Sequence, residues 1–288
     1  MRLVTMLFAA LAALLTAAPA SAADPRIRVT VEGQGPDVLL IPGLGSSQEV
    51  WDATAERLRA THRLHRVRIA GFAGEPAGGN AAGEVVAPSV EEIAAYIRTN
   101  RLERPAVIGH SLGGAAGLML AARHPDLVGR VLVVDSLPFY SLIFNPAATV
   151  ETVRPQAGMM RDMVASQTDA QAAAAQPAII ARMMRSEADR PAAVAAMLAS
   201  DRGVVSRAMY ELMTTDLRPE LAAVRAPVTV LYAYDAAYGV PAEAVDGLFG
   251  GAYSSLQGAR LSRIDSSLHF IMTDQPEAFA AAVDTFLR

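Results

Sequence analysis

The sequence contains no cysteine and no lysine. Without cysteine there can be no disulfide framework, lipoprotein attachment, thiol nucleophile or thiolate metal site. Without lysine there can be neither a Schiff base nor a Walker-type phosphate lysine, since both need a primary amine on a flexible arm. All 25 basic residues are arginine, set against 29 acidic ones for a net charge of −4. No basic stripe interleaved with aromatics stands out, so the sequence offers no electrostatic footprint for nucleic acid. The cluster Arg57, Arg59, Arg63, Arg66 and Arg68 reads as the solvated edge of a helix and a strand. Beyond the N-terminal stretch, no uninterrupted apolar run is long enough to cross a bilayer.

What is present points to a folded α/β protein. Hydrophobic residues make up 52% of the 288 positions, enough for one large domain with an insertion or for two small ones. Residues 1–23 read as a secretory leader: Arg2, an apolar run from Leu3 to Ala18, then Pro19-Ala20-Ser21-Ala22-Ala23 before Asp24. Cleavage after Ala22 or Ala23 would leave a periplasmic or secreted protein with no stable membrane anchor. An uncleaved anchor is the alternative.

Short apolar strands are expected at Ile27 to Glu32, Asp37 to Ile41, Arg66 to Ala70, just before Ser111, at Arg130 to Asp135, Val228 to Ala233 and Leu261 to Ile264. Helical stretches separate most of them: Gln48 to Ala60, one opening at Ser89 with Glu92 at capping-box spacing, Leu112 to Arg123, and Pro276 to Leu287. Strands alternating with helices imply a mostly parallel sheet with helices on both faces. Between Asp135 and Pro227 no strand is evident, and the alanine-rich pattern predicts an inserted helical cap. The expected organisation is a core of residues 24–137 and 218–288 carrying a cap of residues 138–217. Eight of the twelve methionines fall in the cap: Met159, Met160, Met163, Met183, Met184, Met197, Met209 and Met213. Flexible thioethers suit an adaptable apolar pocket, although ordinary packing of the cap on the core accounts for any single one.

The chemistry centres on Gly109-His110-Ser111-Leu112-Gly113, at the junction of an apolar strand and a small-residue helix. A serine there projects above the sheet while the helix start aims backbone N–H groups at the same point. Glycines on either side permit the turn, and a larger side chain at Gly109 or Gly113 would strike the neighbouring strand or helix. A serine hydroxyl needs a base. Of five histidines, His62 and His65 flank an arginine-rich connection expected at the surface, His124 precedes Pro125 at a helix end, and His110 adjoins the nucleophile in a turn where successive residues point apart. His269 follows the last strand, beyond the carboxyl edge where ligands of parallel sheets bind, and is the expected base. The orienting carboxylate is assigned to Asp235, which follows a strand and precedes His269. Its rival is Asp135, at the end of the strand after the nucleophile. Asp246 and Glu243 lie on a short helix after Pro241. For the oxyanion, the expected donors are the N–H groups of Leu112 and of Leu44, the latter in the turn Gly43-Leu44-Gly45.

Together, Ile41-Pro42-Gly43-Leu44-Gly45, Gly109-His110-Ser111-Leu112-Gly113-Gly114, Asp235, His269 and the closing Gln275-Pro276-Glu277-Ala278-Phe279 resemble the α/β-hydrolase fold family, particularly small capped esterase-like members. The resemblance runs from about residue 27 to the end. It implies an eight-stranded, mostly parallel sheet, a late cap, and acyl-enzyme chemistry needing no cofactor or metal. Three positions depart from many relatives. Pro42 stands where histidine is common, Gly71-Phe72-Ala73-Gly74 replaces an aspartate-containing loop, and Asp235 falls one residue early. Serine at the nucleophile position points away from haloalkane dehalogenases and epoxide hydrolases. The expected function is a serine hydrolase acting on small-molecule carboxylic esters with apolar or aromatic acyl groups. The alternatives are amide, thioester or lactone cleavage, a perhydrolase variant, or a non-catalytic binding member of the fold.

Overall fold

The structure, a computed structural model, describes residues 24–288; the expected leader lies outside the described residues. Seven strands form one sheet in the order β1-β3-β2-β4-β5-β6-β7: β1 (Ile27–Gly33), β2 (Asp37–Ile41), β3 (Arg63–Ile69), β4 (Ala106–His110), β5 (Arg130–Val134), β6 (Val228–Tyr234) and β7 (Arg260–Asp265). Only β1 runs antiparallel, against β3. The eight-stranded expectation is corrected to seven among the described residues. The strands read from apolar runs number seven, and the eighth came only from the family resemblance.

The central strands are apolar on both faces because both faces are covered. In β2, Leu39 and Ile41 enter one core while Val38 and Leu40 enter the other, and in β4 Val107 and Ile108 divide the same way. This is the period of two expected of a strand, with helices rather than water on each side. On one face lie α2 (Val86–Thr99), α3 (Leu112–Arg123) and the α8 helix (Ala242–Ala252); on the other lie α1 (Asp52–Leu58) and α10 (Pro276–Leu287). Trp51, wholly buried, stacks on Phe279 of α10 at 6.2 Å and closes the second core.

The insertion between β5 and β6 holds α4 (Val150–Ser166), α5 (Asp169–Ala181), α6 (Arg190–Ala199) and α7 (Arg202–Thr214), with no strand. The helices α4 and α5 each begin with a reciprocal capping box, Thr149 with Thr152 and Thr168 with Gln171. A short helix, α9 (Ile271–Asp274), precedes α10. No described helix is long and apolar enough to cross a membrane.

Three local expectations are corrected. The helix expected to open at Ser89 begins at Val86, and Ser89 Oγ instead donates to the Val85 carbonyl inside it. Its N-terminus is capped from a distance: the Glu211 carboxylate on α7 accepts from the N–H groups of Val85, Val86 and Ala87. Glu92 accepts from the Arg26 N–H rather than serving a capping box. His65, expected at the surface, is 2% exposed and held between Asp37 and Tyr96. Within the arginine cluster, Arg66 is likewise largely covered, paired with Glu32 and Asp52, while Arg57, Arg63 and Arg68 pair with acids at the rim.

Candidate active site

Ser111 sits between the end of β4 and the start of α3 with φ +54° and ψ −121°, outside the regions that L-residues favour. Such a conformation costs about 1–3 kcal/mol and persists only where the surroundings impose it. The surroundings here do so. The Ser111 N–H donates to the Val134 carbonyl, and its own carbonyl accepts from Gly114 and Ala115 in the first turn of α3. A Cβ on Gly109 would lie 2.1 Å from the Gly113 carbonyl oxygen, and one on Gly113 would lie 2.2 Å from that of Ile41. The two glycines therefore let strand, turn and helix approach at backbone distance.

At the same edge of the sheet, His269 follows β7 and its Nδ1 lies 2.6 Å from Asp135 Oδ2. Both side chains are largely covered. Asp135 directly follows β5 with φ +47°, and this turns its carboxylate across the sheet. Its N–H donates to Leu231, and its Oδ1 accepts from the Ala233 N–H at 2.9 Å. The side chain thus continues the β5–β6 ladder one step past the strand and presents its other oxygen to the imidazole.

The expectation for Asp235 is corrected on geometry. Its carboxylate accepts from the Ala237 N–H at 2.8 Å and pairs with Arg185 of the cap, while His269 Nδ1 is engaged by Asp135. Asp235 ends a strand and caps the following turn, the ordinary use of aspartate in that place. Asp246 binds Arg263 and Tyr232, away from the histidine.

The Leu112 N–H, at the first position of α3, and the Leu44 N–H, in the loop after β2, have no acceptor among the described residues. The two loops touch. A Cβ on Gly43 would stand 3.2 Å from Ser111 Cβ, so the Gly43-Leu44 turn lies against the serine. Met197 of the cap reaches the same turn, its sulfur 2.5 Å from where a Cβ on Gly45 would be. The other cap methionines divide: Met184 and Met213 are buried in packing, and Met159 and Met163 are exposed. Ser111 Oγ makes no hydrogen bond among the described residues.

His110 does more than its place in the turn suggested. Its ring is buried, 4.5 Å from the His269 ring and 4.8 Å from that of Phe270, and its Nε2 donates to the His269 carbonyl at 3.0 Å. Burial, reinforced by the adjacent His269, pushes its imidazole well below the usual histidine range. It is therefore held neutral, with Nδ1 unpartnered. Nothing in composition or spacing signals this. Around Asp135, the phenols of Tyr140 and Tyr253 are both raised by burial and by the nearby carboxylate, so they stay protonated; Tyr253 donates to the Ser136 carbonyl at 2.7 Å. No group of three metal-ligating side chains occurs among the described residues.

A parallel sheet with a strained serine between strand and helix, and a histidine and carboxylate meeting at its carboxyl edge, defines the α/β-hydrolase class. The sequence agrees: residues 38–282 match the Alpha/beta hydrolase family, and the chain belongs to it. It is 30% identical over 271 residues to a pimeloyl-[acyl-carrier protein] methyl ester esterase of Aromatoleum aromaticum, covering 88% of this chain and 98% of that protein. A protein of the same name from Vibrio atlanticus is 34% identical over 116 residues, 40% of this chain and 42% of the relative's length. Among solved structures, the enol-lactonase of Burkholderia xenovorans superposes with a TM-score of 0.71 at 20% identity, covering 91% of this chain and 96% of that one. A thermophilic esterase of Thermogutta terrifontis gives 0.73 at 18% identity, covering 91% and 93%. At these identities the structural likeness concerns the fold.

Proposed function

We propose that the protein is an exported serine hydrolase that cleaves carboxylic esters with apolar or aromatic acyl groups. The observation that carries this reading is the strained Ser111 at the start of α3, at the same sheet edge as a His269 bonded to Asp135 at 2.6 Å. In this reading Ser111 Oγ attacks the ester carbonyl carbon and His269 Nε2 takes its proton. Asp135 holds the Nδ1–H tautomer and stabilises the imidazolium. The free N–H groups of Leu44 and Leu112 receive the oxyanion, each contributing about a hundred- to a thousandfold in turnover. Collapse breaks the bond to the alcohol oxygen, which leaves with the proton from His269. Water, deprotonated by the same imidazole, then cleaves the acyl-serine and returns the hydroxyl to Ser111.

The ester preference is supported by the Aromatoleum relative, whose name specifies a methyl ester esterase and whose length this chain covers almost entirely. The apolar acyl preference rests on Met197 against the Gly43–Gly45 turn and on the methionine-rich cap. Export rests on the composition of residues 1–23. The test is a panel of p-nitrophenyl esters of increasing acyl length, with thioester, anilide and lactone analogues. Turnover of esters above all others, abolished by Ser111→Ala, supports the reading. Stoichiometric release without turnover would indicate a binding protein instead.

A further inference from the structure

Three consecutive backbone groups around His269 are held from outside their own loop. The Leu268 N–H donates to Asp274 Oδ2 at 2.8 Å, the His269 carbonyl accepts from His110 at 3.0 Å, and the Phe270 N–H donates to the Met183 carbonyl at 3.2 Å. Two of the three lead to the cap. Met183 lies just past α5, and Asp274 Oδ1 accepts from the N–H groups of the next cap residues, Arg185 at 2.8 Å and Ser186 at 3.0 Å. One carboxylate on α9 thus gathers three backbone donors, one beside the imidazole and two from the insertion. Bonds to an ionised acceptor are roughly twice as strong as neutral ones, so this bridge is a stiff element in a loop that the β6–β7 ladder reaches only as far as the Ser267 N–H, which donates to the Tyr234 carbonyl.

Asp135 alone cannot fix the imidazole. A single bond at Nδ1 sets the tautomer and one distance, but Nε2 still swings if the Cα of His269 moves. The backbone ties on either side are what hold that Cα. We infer that Asp274 is a positioning residue for His269, making the placement of the imidazole depend on how the cap segment of residues 183–186 is docked. The inference rests on the hydrolase reading above for its kinetic consequence, though not for its structural one. A substrate that shifts this segment when it fills the space under the cap would move the base with it.

The variant Asp274→Asn tests the bridge at nearly constant volume: its one remaining oxygen can serve the cap donors or Leu268, but its amide nitrogen cannot accept the rest. A displacement of about 1 Å in a catalytic group costs up to about a hundredfold, so kcat should fall about ten- to a hundredfold. KM should change less than about threefold, because no substrate contact is removed. Asp274→Ser, which withdraws the carboxylate altogether, should give the same split. Glu187→Ala, one residue past that segment, leaves both cap N–H donors in place and should stay within about twofold of wild type, since its side chain is 86% exposed and makes only a surface ion pair with Arg190.

A second readout does not need turnover. The proton between His269 Nδ1 and Asp135 should give a downfield NMR resonance in wild type, absent in His269→Ala, and broadened or lost in the folded Asp274 variants. Unchanged kcat and an unchanged resonance in Asp274→Asn would overturn the inference. If the wild-type protein proves inactive, the hydrolase reading fails, while the resonance still decides whether Asp274 holds the imidazole.

Discussion

Replacing each of the two strand-end aspartates by asparagine separates their roles, and the structure gives the size of the difference. In Asp135→Asn the Ala233 N–H, 2.9 Å from Oδ1, holds the amide oxygen on its side and turns the amide NH2 toward His269 Nδ1. That nitrogen donates, so it forces Nδ1 to accept and places the imidazole proton on Nε2, where the serine's proton must arrive. The wrong tautomer costs about ten-thousandfold in kcat, or about 5.4 kcal/mol of transition-state stabilisation at 1.36 kcal/mol per tenfold. In Asp235→Asn the oxygen facing Ala237 is retained and only the pair with Arg185 is lost. The Arg185 side chain is 52% exposed, so solvent screening limits that pair to about 0–1 kcal/mol of stability, with kcat within about threefold. Steady-state hydrolysis of a p-nitrophenyl ester, with a urea denaturation curve for each variant, measures both numbers. Loss of those orders of magnitude in Asp235→Asn, with activity kept in Asp135→Asn, would overturn the assignment of Asp135.

Gly113→Ala puts a Cβ 2.2 Å from the Ile41 carbonyl oxygen and should destabilise the fold by about 3 kcal/mol in urea titration, whereas Gly247→Ala, in α8 with nothing within 4 Å, should stabilise it by about 0.5–1 kcal/mol. Burial and His269 depress the His110 pKa, so below about pH 6.5 the unfolded chain binds a proton that the folded one refuses, and stability falls as pH drops. In His110→Gln that part of the slope should vanish from urea midpoints measured between about pH 7.5 and about pH 5; an unchanged slope would place its origin elsewhere. Glu211→Ala removes the remote cap of α2 and should cost about 1–2 kcal/mol by the same titration.

Much of this architecture is legible in the chain because its signals are local. Val38 to Ile41 and Val131 to Val134 are too apolar and too short for anything but buried strands, and Leu112 to Arg123 is helical within the bounds expected. Ser111, His269 and the Leu44 and Leu112 turns also fall at the predicted edge of the sheet. The exceptions share a physical cause, which is partnership across long sequence distances. Ser89 and Glu92 have capping-box spacing, yet the α2 N-terminus is satisfied by Glu211, more than 100 residues away. His65 looks like a surface residue until β3 is placed beside β2 and beneath Tyr96. The choice between Asp135 and Asp235 turned on a backbone angle. Both end parallel strands, but the positive φ of Asp135 and the Ala233 N–H steer its carboxylate to His269, and Arg185 draws Asp235 toward the cap. Chain order, serine then acid then histidine, is satisfied by either aspartate and cannot discriminate.

In the proposed mechanism one serine, on a strained turn, is activated by a histidine held by Asp135. Treatment of the folded protein with a fluorophosphonate, followed by peptide mass mapping, probes that activation at the serine itself. The expected result is one adduct per chain, on Ser111, formed quickly in wild type and orders of magnitude more slowly in both His269→Ala and Asp135→Asn. Folded protein that stays unlabelled, or that carries the adduct on another residue, would contradict it.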